Sequence, residues 1–272
     1  MFKLACSILH YDIIGYVYED AIKNIAKLGY EGIEMHLPPP PHREEKAPVK
    51  RLLKRLGLVP ATVNCQRWDW AHDNPERVKG TIESFQNTVL LAEYLEAKRV
   101  LTETGSIPKG MKAVQASKMA AENIATACDF ASEHGIETVL LESVPPPFNY
   151  IVDNSKKFLS FRKLAGVSNL YANVDASNYL MAGDDPSKAL EALGSLVRGI
   201  HIKDGTSKGG NWTPIGEGEV DWRTFLATAK KIGYHDWLVS EYEGALTGKY
   251  YVDPEKASQD TIKYVKKILK EI

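Results

Sequence analysis

Four residues with metal-binding side chains stand at or near the ends of four successive apolar runs in the second half of the chain. Glu142 follows the run TVLL, Asp175 follows LYANV, His201 lies in RGIHI, and Glu241 follows WLVS. Three carboxylates and one imidazole suit an octahedral divalent cation and leave positions for water or two substrate oxygens. The residue types therefore predict one divalent metal ion, with Mn²⁺ as the leading candidate and Mg²⁺, Co²⁺ or Zn²⁺ as alternatives.

Each of these residues also has an ordinary structural explanation. A lone acidic residue at a strand end is often a helix cap or a salt-bridge partner, and a lone histidine is more often a packing residue than a ligand. Four such groups at one buried opening would otherwise repel one another or lose hydration without compensation. The metal prediction therefore rests on their joint placement rather than on any one residue.

Short apolar runs that alternate with longer amphipathic segments must position these side chains. This alternation predicts a parallel sheet covered by helices. The eight predicted strands are Phe2–Ile8, Tyr30–Leu37, Leu58–Cys65, Arg99–Glu103, Thr138–Ser143, Leu170–Asp175, Arg198–Ile202 and Trp237–Glu241. Several strands are preceded by a glycine, which is typical of a helix end in the left-handed conformation. These glycines are Gly29, Gly57, Gly135, Gly166 and Gly233.

Eight strand–helix units in 272 residues predict a single (β/α)₈ barrel, or TIM barrel, that spans residues 1–272 as one domain. The sequence has no glycine-rich phosphate-binding motif of the kind that marks open nucleotide-binding sheets. The proline run at 38–41 is predicted to be a stiff loop within the barrel. Active sites of such barrels lie at the carboxyl ends of the strands, so the four candidate ligands are expected at one opening.

The charge balance and the cysteines argue against several classes of protein. The 34 basic and 35 acidic residues give a formal net charge of -1, which offers no general attraction to nucleic acid or anionic lipid. No stretch has the length and hydropathy of a membrane span or a signal peptide. Cys6, Cys65 and Cys128 lack CxxC spacing and are predicted to be reduced packing residues. We therefore expect a cytoplasmic protein with a small-molecule substrate.

Four sequence blocks carry a resemblance to a known family. They are LLES at Glu142, NVDASNYLMAGDDP at Asp175, GIHIKDG at His201 and PIGEGEVDWRTFLATAKKIGYHDWLVSEYEG, which leads to Glu241. The chain resembles, over nearly its whole length, the sugar phosphate isomerase/epimerase superfamily of xylose isomerase-like barrels, which includes ketose 3-epimerases and keto-inositol dehydratases. The resemblance implies that these four residues are the metal ligands, that Glu142 and Glu241 form the acid/base pair, and that the protein is a homodimer or homotetramer.

This resemblance implies a metal-dependent sugar isomerase or epimerase that acts on a ketose or a related polyol-ketone. A proton next to a carbonyl becomes acidic enough for a carboxylate when a metal stabilises the enediolate, and a second carboxylate can return it on the other face. The alternative is a keto-inositol-type dehydratase that uses the same metal site. In that case Lys203 would hold a substrate hydroxyl or help to expel it as water, whereas a structural Lys203 would face solvent and pair with Asp204.

The substrate pocket departs from the pattern of the family. Asn178 stands where many ketose epimerases carry a histidine, and Phe148 stands where a second acidic residue is common. Ser207 and Lys208 occupy the stretch in which those enzymes carry an arginine. We therefore expect an ordinary metal site beneath a substrate pocket that differs from those of the epimerases.

Further polar and aromatic residues at strand ends are candidates for substrate contacts. Glu34 and His36 alternate with Ile33 and Met35, so both are expected to face the barrel interior. The predicted substrate-binding residues are Glu34, His36, Trp68, Asn178 and Lys203. Weaker candidates for the pocket are Gln66, Glu103, Trp70 and Trp212.

Two other classes of function are compatible with a barrel but are less favoured by the sequence. A nuclease of the related endonuclease type would need more histidine and carboxylate ligands than the chain offers, and a basic surface for DNA. The chain has seven histidines and a net charge of -1. A non-catalytic sugar-binding barrel would bind its ligand without exchanging substrate protons with solvent.

Overall fold

The computed structural model describes residues 2–36, 46–145, 148–208, 210–247 and 252–272. Within these residues, eight parallel strands close into a barrel in the order β1, β2, β3, β4, β5, β6, β7, β10 and back to β1, while β8 and β9 form a separate small hairpin. The strands are β1 (Lys3–Ser7), β2 (Gly32–His36), β3 (Val59–Asn64), β4 (Arg99–Glu103), β5 (Thr138–Glu142), β6 (Leu170–Asp175), β7 (Val197–Ile202), β8 (Asp204–Gly205), β9 (Trp212–Thr213) and β10 (Trp237–Ser240). The predicted barrel and each of its eight strands are confirmed.

Helices lie between the strands and cover the outside of the barrel. The described helices are α1 (Leu9–Asp12), α2 (Tyr18–Lys27), α3 (Lys46–Leu56), α4 (Pro75–Leu95), α5 (Ala113–Glu133), α6 (Ser155–Ala165), α7 (Ala176–Met181), α8 (Pro186–Leu193), α9 (Trp222–Lys231), α10 (Gly244–Thr247) and α11 (Pro254–Leu269). The first turn of α11 shows why such helices begin where they do. Asp253 accepts hydrogen bonds from the amides of Glu255 and Lys256, and Pro254 occupies the first position, where no amide donor is needed.

The five glycines that were predicted to mark helix ends have the expected backbone conformation. Gly166 ends α6 at φ 70°, a left-handed value that a residue with a Cβ adopts only at a cost. The other four predicted glycines also have positive φ values, between 70° and 84°. A second prediction is confirmed as well, because the three cysteines are free and buried.

The amino-terminal end of the barrel interior is filled by apolar side chains. Ala5, Ala61, Trp237 and Val239 form a buried cluster separate from the larger core between strands and helices. Gly32 makes room for this cluster, because a Cβ at that position would lie 2.6 Å from the Trp237 ring. The interior is therefore packed with apolar side chains at this end, opposite the carboxyl ends of the strands, where active sites of such barrels lie.

Two further expectations concern the proline run and membrane spans. The proline run at 38–41 lies outside the described residues. Among the helices that are described, none is long and apolar enough to cross a membrane.

Candidate metal centre

Four ligand-type side chains meet at the carboxyl ends of β5, β6, β7 and β10. One donor atom from each of Glu142, Asp175, His201 and Glu241 lies within 4.8 Å of the others, and all four residues are buried. Barrel closure produces this meeting, since Asp175 and His201 are register partners on β6 and β7 and Glu241 follows β10, which pairs with β7. The structure thus brings together the four residues that the sequence singled out.

The His201 ring presents one nitrogen to the carboxylates and the other to a fixed partner. Nδ1 lies 3.1 Å from Glu142 Oε2, 3.2 Å from Glu241 Oε2 and 3.8 Å from Asp175 Oδ2. Nε2 lies 3.1 Å from Oε2 of Glu34, which is buried on β2. A carboxylate on the far nitrogen is how metal-binding histidines are commonly oriented.

Two donor atoms of this group make no well-aligned hydrogen bond within the described residues, although each has charged groups close by. They are His201 Nδ1 and Asp175 Oδ2, both fully buried. The two oxygens of Asp175 have different surroundings. Oδ1 accepts a hydrogen bond from the backbone amide of Asn178 and caps α7. Buried polar atoms without well-aligned hydrogen bonds are costly, and a cation coordinated by these atoms would satisfy them. The donor set and its unsatisfied atoms both fit a divalent metal.

Two asparagine amides hold the Glu142 carboxylate. Asn173 Nδ2 donates to Oε2 at 2.7 Å and Asn178 Nδ2 donates to Oε1 at 2.8 Å. Asn173 needs Gly199 beside it, because a Cβ at Gly199 would lie 2.2 Å from Asn173 Oδ1. Both Glu142 oxygens are therefore fixed before any ligand binds.

Lys203 is a buried cation within the cluster. Its Nζ lies 2.9 Å from Glu241 Oε2, 3.0 Å from Asp175 Oδ2 and 2.6 Å from Glu243 Oε2, and the residue is 2% exposed. The alternative of a solvent-facing Lys203 paired with Asp204 is wrong. Barrel alternation turns Lys203 inward, on the same face as His201, and leaves Asp204 facing the other way.

Asp204 has a structural role instead. Its Oδ2 accepts hydrogen bonds from Trp222 Nε1 at 2.9 Å and from the Gly216 amide at 2.8 Å. The carboxylate therefore anchors the loop that precedes α9.

Burial and charge act against each other on the ionisable groups of this centre. Burial raises the pKa of Asp175 to about 7, although the Lys203 ammonium opposes that shift. Burial acts in the same direction on Glu241, but the positive charges of Lys203 and His201 outweigh it and hold the pKa of that carboxyl below its usual range. Asp175 and Glu241 thus depend on nearby positive charge to remain ionised.

A cavity of about 880 Å³ opens above this centre. Three of the predicted substrate-binding residues line it, namely Trp68, Asn178 and Lys203, together with the weaker candidates Gln66, Glu103 and Trp212. The other two predicted residues are placed differently among the described residues. Glu34 contacts His201 from beneath the cavity, and His36 Nε2 lies 3.1 Å from Asp12 Oδ2. Trp70 is fully buried and donates to Thr102 Oγ1 at 3.1 Å.

The sequence interpretation missed two charged or polar residues that contact the centre. Asn173 lies two residues before Asp175, and Glu243 lies two residues after Glu241. The period of two along a strand places such neighbours on the same face. That alternation, applied outward from each predicted ligand, is the signal that would have found them.

Comparisons with known proteins agree with this architecture. A profile of the xylose isomerase-like TIM barrel family matches residues 22–268. An inosose dehydratase from Mesomycoplasma hyopneumoniae is 26% identical over an alignment 281 positions long, which covers 93% of this chain and 86% of that protein. The chain therefore belongs to the xylose isomerase-like TIM barrel family.

Solved structures share the fold at lower identity. D-psicose 3-epimerase from Clostridium cellulolyticum, determined with D-tagatose, is 16% identical with a TM-score of 0.82, and the match covers 98% of this chain and 99% of that chain. A 3-keto-D-glucoside 4-epimerase from E. coli is 15% identical with a TM-score of 0.79, covering 98% and 100% of the two chains.

Proposed function

We propose that this protein is a divalent-metal-dependent enzyme that epimerises or isomerises a ketose or related polyol-ketone by removing a proton next to the carbonyl. The observation that carries the proposal is the position of two carboxylates at one buried histidine nitrogen. Glu142 and Glu241 reach His201 Nδ1 to 3.1 and 3.2 Å from strands separated by β6 and β7. Two carboxylates that flank one position provide an acid/base pair for a substrate bound between them.

Glu142, Asp175, His201 and Glu241 would hold the metal, for which we propose Mn²⁺ because of the three oxygen donors. A bound divalent ion would supply positive charge against the negative charge that develops on the substrate oxygens. The likeness to the ketose epimerases supports the same assignment of the substrate class.

The chain's own residues prepare the two carboxylates for proton transfer. Asn173 and Asn178 fix both oxygens of Glu142, so its remaining lone pairs point in defined directions. Lys203 holds Glu241 Oε2 at 2.9 Å and keeps this carboxyl ionised. One carboxylate takes the proton from one face of the substrate carbon, and the other returns a proton to the opposite face.

A second candidate function is dehydration of a keto-cyclitol, and one observation favours it. The Lys203 ammonium lines the cavity next to Glu241, where it can donate a proton to a departing hydroxyl group. The 26% identical relative carries the name inosose dehydratase. Proton removal next to the carbonyl would then be followed by loss of water rather than by return of the proton.

Product analysis in deuterated water tests the proposal and separates the two reactions. Metal-loaded protein is incubated with D-tagatose and with a keto-inositol, and the products are examined by mass spectrometry and NMR. An epimerase gives an isomer with one deuterium at the inverted carbon, whereas a dehydratase gives a product lighter by one water. The absence of both deuterium incorporation and water loss, with every polyol-ketone tested, would contradict the proposal.

A further inference from the structure

The cavity above the metal centre has a charged floor and an aromatic wall. The floor consists of the buried Glu142, Lys203 and Glu241. We define the aromatic wall as Phe148, Tyr150 and Trp212, which line the same cavity.

The aromatic wall leads without interruption from the floor to the solvent. Trp212 begins it, since the Lys203 ammonium lies 5.2 Å from the centre of its ring. Phe148 lies nearly parallel to Trp212, with ring centres 6.4 Å apart and an angle of 12°, and Tyr150 meets the edge of Phe148 at 6.4 Å and 79°. Phe148 is 45% exposed and Leu246, also at the cavity, is 59% exposed. Large apolar side chains exposed at a pocket mouth are typical of a binding surface for an apolar group.

Four neutral polar atoms of residues that line the cavity have no hydrogen-bond partner within the described residues. Within the described residues, Trp68 Nε1 and Trp212 Nε1 are buried donors with no acceptor, and Asn64 Oδ1 and Asn178 Oδ1 are buried acceptors with no donor. All four residues line the cavity. Such groups are costly unless they are paired, and hydroxyl groups of an uncharged polyol can pair with both kinds.

The charges of the cavity disfavour an anionic substrate. Among the described lining residues, Lys203 is the single cation, and its ammonium already contacts Asp175, Glu241 and Glu243. Glu103 adds a further carboxyl group to the lining. Apart from the proposed metal ion, a phosphate or carboxylate on the substrate would therefore meet no unpaired cation among the described lining residues and would be desolvated near acidic groups.

The cavity is also large. Its volume of about 880 Å³ lies near the upper end of the roughly 300–1,000 Å³ typical of pockets for drug-sized ligands. A free hexose that occupied the floor would leave the outer part of the aromatic wall, at Phe148, in contact with water. The apolar surface of Phe148 would then contribute nothing to binding.

We infer that the substrate is an uncharged polyhydroxylated ketone that carries an apolar ring, with the ketone on the floor and the ring against Phe148 and Trp212. This inference rests on the proposed function, because it names the substrate class of the same site. The inference makes phosphorylated sugars disfavoured by the described lining residues, and it makes free ketoses poor substrates. Phe148 is then a specificity-determining residue.

Paired substrates test the inference. Three substrates are compared: methyl glucoside and phenyl glucoside, each oxidised to a ketone on the sugar ring, and the 6-phosphate of the oxidised methyl compound. The measurement is kcat/KM for deuterium incorporation with the Mn²⁺-loaded enzyme. We expect the phenyl compound to exceed the methyl compound about tenfold, as one aromatic contact commonly provides. The phosphate should be the poorest of the three. Phe148→Ala should lower the phenyl-to-methyl ratio toward one, and the control Leu164→Ala, on an exposed residue of α6, should keep the wild-type ratio.

A binding measurement separates failure of the inference from failure of the proposed function. Calorimetric titration of the Mn²⁺-loaded protein with phenyl and methyl glucoside, which lack the ketone, reports the aromatic contact without any turnover. Tighter binding of the phenyl compound that is lost in Phe148→Ala supports the inference even if no deuterium enters any substrate. Equal affinities for the two glucosides, or a preference for the phosphate in turnover, would overturn it.

Discussion

Both halves of the barrel carry polar side chains at the carboxyl ends of their strands, but these side chains have different surroundings. Strands β5, β6, β7 and β10 supply the four ligand-type residues, whose donor atoms lie within 4.8 Å of one another. Strands β2, β3 and β4 supply Glu34, Asn64 and Glu103, of which Glu34 touches the cluster through the far side of His201. The first group has the donor atoms that a divalent cation would need, and the second contacts His201 through Glu34 and lines the cavity through Asn64 and Glu103.

This difference shows that neighbouring strands of one barrel can provide acidic residues with different roles. Glu103 and Glu142 are register partners on β4 and β5, yet only Glu142 belongs to the ligand group. Burial, together with the charge of Glu142, raises the pKa of Glu103 well above its usual range. Substitutions in the ligand half should therefore abolish function, whereas substitutions in the other half should weaken it by degrees.

The largest effect is expected for the two carboxylates of the proposed acid/base pair. Glu142→Gln and Glu241→Gln keep the size of the side chain but remove the charge and the proton-accepting group. We expect kcat to fall about 10³-fold or more in each, within the range that general acid–base catalysis commonly provides. Steady-state kinetics of deuterium exchange measures the loss. Glu122→Gln, at an exposed residue of α5, is the matched control and should retain wild-type activity. A near-normal kcat in Glu142→Gln or Glu241→Gln would contradict the proposed difference between the two halves of the barrel.

Lys203→Met should reveal the competition between the lysine and a metal. The metal-free variant leaves Asp175, Glu241 and Glu243 without their shared cation, and loss of one partner of a buried ion pair costs roughly 3 kcal/mol. Urea denaturation should show this loss in the metal-free protein and a smaller one with Mn²⁺ present. Calorimetry should show tighter Mn²⁺ binding, because a positive charge beside the ligands is gone.

Lys231→Met is the control for that substitution. Lys231 pairs with Glu191 at 2.9 Å on the surface, and its side chain is 74% exposed, so its removal should change stability by less than about 1 kcal/mol. Weaker Mn²⁺ binding by Lys203→Met than by Lys231→Met would show that Lys203 supports the metal rather than competing with it.

The smallest effect is expected from the supporting half of the barrel. Glu34→Gln retains a side chain of the same shape at His201 Nε2 but removes its negative charge. Loss of such a partner usually lowers metal affinity about 10–100-fold. The Kd for Mn²⁺, measured by calorimetry, should rise by this factor while the fold remains intact by circular dichroism. An unchanged Kd would mean that Glu34 has no part in orienting His201.

The sequence allowed the barrel and the ligand group to be predicted for a specific physical reason. Each candidate ligand lies at or near the end of an apolar run, and parallel strands bring such positions to one opening. Arg99–Glu103 and Leu170–Asp175 even have the predicted bounds. The strands could be predicted from local patterns alone, and closure of the barrel brings their carboxyl ends together.

Other features depend on contacts between distant strands and could not be predicted in this way. Lysine is rarely buried, and the three carboxylates that make burial of Lys203 possible come from β6 and from the residues after β10. The Trp68–Trp70 pair is a second example. Both tryptophans follow β3, and only the packing of Phe85 against Trp70 shows which of them belongs to the core.

Metal titration tests the central claim most directly. Metal-free protein is titrated with Mn²⁺ by isothermal calorimetry, in parallel with His201→Ala, Asp175→Asn and the surface control Glu122→Gln. The account predicts one site per chain in the wild-type and control proteins and at least roughly 100-fold weaker binding in the two ligand variants. Wild-type affinity in His201→Ala and Asp175→Asn, or no Mn²⁺ binding by the wild-type protein, would contradict the assignment of the metal centre.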